Sequence, residues 1–185
     1  MKKWLVFSLV ALAGCSATPP ASQLYVLPAP EATVRAPQTA PILVVRPVEL
    51  APYLDSAGLV YRTSDTQVIQ TKQNLWAQNL SAQLTQRLVA DLRSKQSQYW
   101  PVQLNPVMTS RGQPMLLVRV EQFNGSYTGN ADISGEWTLV DAEGQIQQTQ
   151  AFRHSVPLDS EGYPALVEAL AQGFQQVTSQ IAQTL

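Results

Sequence analysis

The chain has 185 residues with 12 basic and 13 acidic side chains and one histidine, for a formal net charge of −1. Charged residues make up only 14% and are evenly mixed, so no basic patch exists for a phosphate backbone to grip, which excludes nucleic acid as a partner class. The single cysteine excludes an internal disulfide, and the length suits one domain with a core of its own.

Lys2 and Lys3 precede an apolar run over residues 4–12, the charge order of a secretory signal peptide. That run is too short to span a bilayer. Leu12-Ala13-Gly14-Cys15 follows, with small residues leading into the only cysteine. It resembles the lipobox of bacterial lipoproteins. The resemblance implies cleavage before Cys15, a diacylglycerol on its sulfur and an N-acyl chain such as palmitate on the new amino group. Two or more acyl chains make a stable anchor, since each buried methylene contributes about 0.8 kcal/mol. Ser16 follows the cysteine where, in lipoproteins of Gram-negative bacteria, an aspartate favours retention in the inner membrane. By the same resemblance, Ser16 implies transfer to the outer membrane.

Residues 15–41 read as a proline-rich tether, with Pro19, Pro20, Pro28, Pro30, Pro37 and Pro41 among Ala, Thr and Ser. At about 3.1 Å per residue, such a stretch can hold a folded domain several nanometres from its lipid. Within it, Gln23-Leu24-Tyr25-Val26-Leu27 is an apolar island, either an added edge strand or plain linker. The expected organisation is therefore a signal peptide at 1–14, a lipidated tether at 15–41 and a single α+β domain at 42–185.

The β-branched run at 42–48 predicts a first strand, with Pro47 at its end or on an edge because it cannot donate to a ladder. Residues 59–63 and 67–70 predict a short strand pair. Trp76, Leu80, Leu84, Leu88 and Leu92, spaced by four, predict a helix over about 72–93 that winds its apolar stripe along a twisted sheet. A short strand at 102–104 and a turn at 110–114 come next. Residues 115–123 predict a strand with Leu116, Val118 and Val120 on one face, and Asn124-Gly125 signals a hairpin. The next strand, at 126–140, alternates Tyr127, Gly129, Ala131, Ile133, Gly135, Trp137 and Leu139 with polar residues. A third, at 145–156, carries Ile146, Phe152 and Val156 on one face. From Pro164, the spacing of Leu166, Val167, Leu170, Phe174, Val177, Ile181 and Leu185 predicts a closing helix. The fold class expected is α+β, a mainly antiparallel sheet with two helices packed on one face.

Catalytic chemistry finds no foothold in these residues. His154, the only histidine, is an edge or surface residue flanked by Arg153 and Ser155, and one histidine cannot supply a zinc site. The carboxylates are scattered, and Gly125, Gly129 and Gly135 fall in or between strands instead of forming a phosphate loop. The expectation is a non-enzyme with no catalytic residue, no metal and no cofactor beyond the acyl groups on Cys15. The loop from Pro52 to Arg62 carries Tyr53, Tyr61 and Arg62, residue types enriched at interfaces, and these are the candidate partner-binding residues.

Four segments carry a wider resemblance: Gly58-Leu59-Val60-Tyr61-Arg62-Thr63-Ser64, Asn74-Leu75-Trp76-Ala77, Glu121-Gln122-Phe123-Asn124-Gly125 and Ser134-Gly135-Glu136-Trp137. Together with the lipobox they resemble the PqiC (YmbA) family of ABC-type transport auxiliary lipoproteins. The resemblance implies a lipoprotein on the periplasmic face of the outer membrane. Its partner would be a PqiB-like MCE-domain protein anchored in the inner membrane, whose assembly forms a lipid conduit, and it would form a homo-oligomer at the conduit's end to maintain envelope integrity. The alternative is a stand-alone lipid-binding or envelope-stabilising lipoprotein, which predicts an internal apolar cavity.

Overall fold

The computed structural model describes residues 21–28, 39–105 and 112–185. Cys15, the signal peptide and part of the tether lie outside the described residues, as does the start of the turn at 110–114. In chain order the elements are β1 (Gln23–Tyr25), β2 (Ile42–Val45), β3 (Glu49–Leu50), a 3₁₀ turn (Pro52–Leu54), β4 (Gly58–Arg62) and β5 (Val68–Trp76). They continue with α1 (Leu80–Lys95), β6 (Trp100–Gln103), β7 (Met115–Ser126), β8 (Asn130–Val140), β9 (Ile146–Pro157) and α2 (Tyr163–Thr184).

β7 is the spine of a nine-stranded sheet. Along one side β8 pairs antiparallel from Met115↔Val140 to Gly125↔Ala131, and β9 pairs antiparallel with β8. Along the other side β2, β3 and β4 take successive parts of β7, all parallel. β6 adds parallel to β2 and β1 parallel to β5, while β4 and β5 form an antiparallel pair. The sheet is therefore mixed, which corrects the expectation of a mainly antiparallel one. Parallel partners are distant in sequence, so their pairing leaves no local hairpin signal.

The alternation on β7 and β8 holds, with one interruption. Leu116, Val118 and Val120 are buried as expected, and Ala131, Ile133 and Trp137 are buried on β8, with Trp137 directly opposite Val118. Phe123 is buried too, although it has the opposite parity from Val120. The register shifts between Val120 and Gln122, so Glu121 is an extra residue and the bulge brings Phe123 back to the dry face. A second shift, beside Leu139 and Val140, inverts the phase of β9 and turns Ile146 outward, where it is 68% exposed; Phe152 and Val156 remain buried. The grouping of Ile146 with those two residues is corrected accordingly.

Two boundaries also differ from expectation. Residues 72–76 belong to β5, and α1 begins only at Leu80, where the Asn79 side chain accepts the Ala82 amide at 3.1 Å as N-cap. Trp76 is buried from the strand end; its spacing from Leu80 imitates a helical repeat across the break. The β7–β8 turn is not Asn124-Gly125. It lies at residues 127–129, closed by the Gly129 amide on the Ser126 carbonyl, with Gly129 at φ +83°.

Both helices contribute to one core. Phe123 packs against Trp76 at 6.1 Å and edge-on against Phe174 of α2 at 6.3 Å. Gly173 lets α2 close on the sheet, because a Cβ there would meet Ile133 Cδ1 at 2.2 Å. The helices are also tied by Asp91, only 2% exposed. Its carboxylate accepts from Arg87 Nε at 2.9 Å and from Thr178 Oγ1 at 2.9 Å, with Lys95 Nζ 3.9 Å away. Burial pushes the Lys95 ammonium pKa below its ordinary value, against the pull of Asp91 and aided by Arg87.

The island at 23–27 joins the domain. The Ala77 amide donates to the Tyr25 carbonyl at 2.8 Å, the Leu27 amide donates to Gln83 Oε1 at 2.8 Å, and Arg87 donates to the Pro28 carbonyl.

Candidate functional site

At one end of the sheet, the β4–β5 hairpin, the β7–β8 turn and the loop entering α2 converge on an open groove of about 710 Å³. Tyr61, Ile69, Tyr127, Leu158, Tyr163 and Leu166 line it. Gly125 makes room for it. Its Cα pairs with that of Tyr61, and a Cβ would meet Tyr61 Cδ2 at 2.6 Å and Leu166 Cδ2 at 3.0 Å. The absence of a side chain is what lets the Tyr61 ring lie across β7.

Tyr127 is held from two sides. Its amide donates to the Arg62 carbonyl at 2.9 Å and its hydroxyl to Asp65 Oδ1 at 2.7 Å. That hydrogen bond raises the Tyr127 pKa, helped by the Asp65 charge and by burial and opposed by Arg62. Of the lining residues, Ile69 and Tyr127 stand exposed. Tyrosine and aliphatic side chains on a strand framework offer large, pre-ordered contact area.

Tyr53, Tyr61 and Arg62 do not sit on one loop, as the sequence suggested. Tyr61 and Arg62 are on β4, and only Tyr61 lines the groove. Arg62 stands beside it, and its charge acts on both Tyr127 and Tyr53. The hydroxyl of Tyr53 donates at 2.6 Å to the carbonyl of Glu121, the extra residue of the β7 bulge, and Gln70 Nε2 donates to the Tyr53 carbonyl at 2.9 Å. Burial raises the Tyr53 pKa, with Arg62 opposing and Glu121 reinforcing. Tyr53 thus satisfies a carbonyl that the bulge leaves outside the ladder.

Tyr127, Tyr163 and Ile69 were not identified as site residues from the sequence. The period-two pattern places Tyr127 on the dry face of a strand; the signal that it sits in a turn is Gly129 two residues on, at positive φ. Among the described residues no cluster of His, Cys, Asp or Glu could hold a metal ion, and no helix is long and apolar enough to cross a membrane. His154 lies on the edge strand β9, half-buried, with Nε2 buried and without a hydrogen-bond partner among the described residues. Cys15, the expected lipidation site, is outside them.

Comparisons place this fold. A family model described as ABC-type transport auxiliary lipoprotein component matches residues 25–182. "Intermembrane transport lipoprotein PqiC" of Escherichia coli (strain K12) is 37% identical over 188 residues, covering 100% of this chain and 98% of the relative; the protein of that name from Shigella flexneri matches equally. A crystal structure of an uncharacterized protein superposes with a TM-score of 0.74 at 34% identity, over 89% of this chain and 99% of that one. A Xanthomonas campestris protein shares the fold, with a TM-score of 0.70 at 18% identity over 86% and 92%. The match begins at Tyr25, the last residue of β1, and ends at Ala182 near the end of α2, so β2 to β9, α1 and nearly all of α2 fall within the family's common part. The chain belongs to the PqiC family of ABC-type transport auxiliary lipoproteins.

Proposed function

We propose that this protein is a non-catalytic auxiliary subunit of an intermembrane lipid transport system. It is anchored by acyl chains on Cys15 to the periplasmic face of the outer membrane in a Gram-negative bacterium. Its domain docks on an MCE-domain, PqiB-like protein anchored in the inner membrane, as a homo-oligomer around the end of the lipid conduit, and so maintains envelope integrity. The observation that carries this reading is the full-length similarity to an intermembrane transport lipoprotein, which includes the region of the lipobox. The tyrosine-lined groove supports the docking part. Tyr61 supplies the ring, Arg62 the adjacent cation, and Tyr53 keeps the β7 bulge beside them in place.

Native mass spectrometry of the mature protein with a periplasmic MCE-domain fragment tests the docking. A complex holding several copies is expected, and Tyr61→Ala should weaken it by about 2 kcal/mol, roughly thirtyfold in Kd, as for a central aromatic contact. No capture at any concentration would refute the reading. The same groove carries a second reading, a lipid-binding lipoprotein that acts alone, because its lining is largely apolar. Co-purified lipid lost in Tyr61→Ala, without capture of the MCE fragment, would select it. The anchor has its own check: intact mass should show a chain starting at Cys15 with its acyl groups, and Cys15→Ser should fold normally yet lose function by mislocalisation.

A further inference from the structure

We infer that the β1 edge, with the outward side chains of Leu24 and Val26, is a membrane-contacting surface that lies against the phospholipid leaflet holding the anchor. This rests on the lipidation of Cys15 proposed above. The strand has a two-sided pattern of its own: Tyr25 and Leu27 pack on the core, whereas Leu24 is 65% and Val26 55% exposed. A strand with one face packed inward normally turns polar residues outward. Here the outward pair is aliphatic, on the segment nearest in sequence to the lipidated cysteine.

The length of chain outside the structure decides what covers that pair. Because residues 23–27 are hydrogen-bonded to β5 and α1, the length of chain between Cys15 and the docked strand is not the whole of 15–41 but only the eight residues from Cys15 to Gln23. Fully extended, they reach about 29 Å at most. The acyl chains fix one end of this leash in the bilayer and Gln23 fixes the other on the domain, so the β1 edge is the part of the domain nearest the lipid. β9, at the other edge of the sheet, is separated from β1 by β5, β4, β7 and β8. That places it roughly 24 Å further away, at the usual strand spacing. The docked strap thus sets the orientation of the domain as well as its height.

The experiment uses the full-length acylated protein in vesicles of phosphatidylethanolamine and phosphatidylglycerol that contain a nitroxide-labelled lipid. With Cys15 acylated, a fluorophore can be placed at Gln86→Cys, on α1 beside Val26, or at Ile146→Cys, on the far edge. Strong quenching at position 86 and none at 146 is expected. Leu24→Gln with Val26→Gln should reduce the quenching at 86 while leaving vesicle pelleting and the mass in detergent unchanged. Equal quenching at both positions in protein that pellets would overturn this inference and leave lipidation standing. Failure of the unsubstituted protein to pellet would overturn lipidation, and this inference with it. A fall in detergent mass for the double variant would assign Leu24 and Val26 to a contact between copies, which also overturns it.

Discussion

The two sides of β7 are built on different principles. β8 follows β7 through a short turn and pairs along almost the whole strand, with one bulge. On the opposite side the same strand is shared by β2, β3 and β4, short strands of a single segment that steps along it. The first side is local and periodic. The second depends on contacts from elsewhere: the Arg46 amide on the Leu116 carbonyl, the Ala51 amide on the Val120 carbonyl, and the Val48 amide on Thr85 Oγ1 of α1, each at 2.9 to 3.0 Å. A hairpin stabilises itself through cross-strand pairs, whereas short parallel strands exist because a longer partner already presents an edge. The strap at residues 23–28 shows the same dependence, with three paired residues in β1 and, among the described residues, a strand partner only in β5.

That contrast can be broken most forcefully at its centre. Phe174→Ala removes the ring that meets Phe123 and should cost about 4 kcal/mol, read as a lower denaturant midpoint with an unchanged slope. Asp91→Ala should cost about 3 kcal/mol, because Arg87 and Thr178 lose a buried carboxylate. It should also loosen the strap, since Arg87 holds the Pro28 carbonyl as well.

Gln83→Ala sharpens the comparison. It removes the acceptor for the Leu27 amide and should cost about 1 kcal/mol. The expected signature is local: faster hydrogen exchange at the Ala77 and Leu27 amides, with β7 and β8 amides unchanged. Exchange that accelerated equally in β8 would show the strap and the hairpin to be one cooperative unit.

The smallest effect expected is alkaline. Tyr53 and Tyr127 have folded pKa values above the ordinary 10.0, so the folded state holds their protons longer than the unfolded chain does. Their contribution is therefore complete below pH 10 and lost as pH rises through the folded values. Lys95 acts in the opposite sense. Its lowered pKa costs stability while the ammonium is charged in both states, and that cost lifts as pH climbs toward 10.5. An absorbance titration should show Tyr53→Phe removing a late-titrating phenol.

Legibility followed the same division. The three long strands and α2 could be read because their periods are local, and the α2 core positions from Leu166 to Ile181 are all buried as expected. The errors fell where a local pattern continued across a boundary set by other contacts. Trp76 stood four residues before Leu80 although a strand ends between them, and Asn124-Gly125 offered a turn where Tyr61 and Leu166 require a glycine in a strand. Of the groove, Tyr61 and its neighbour Arg62 were legible as interface residue types. Tyr127 and Tyr163 were not, because they come from segments that only the folded sheet brings together.

The sequence by itself determined the lipobox as an expectation, the hydrophobic order of the β7–β9 meander, the closing helix and the family, since each is written in neighbouring residues. Only the tertiary structure decided that the sheet is mixed, that Glu121 bulges and engages Tyr53, and that residues 23–28 strap onto β5 and α1. Those outcomes depend on which backbone groups of β7, β5 and α1 remain unpaired once the core has closed, and no local pattern in the chain records that.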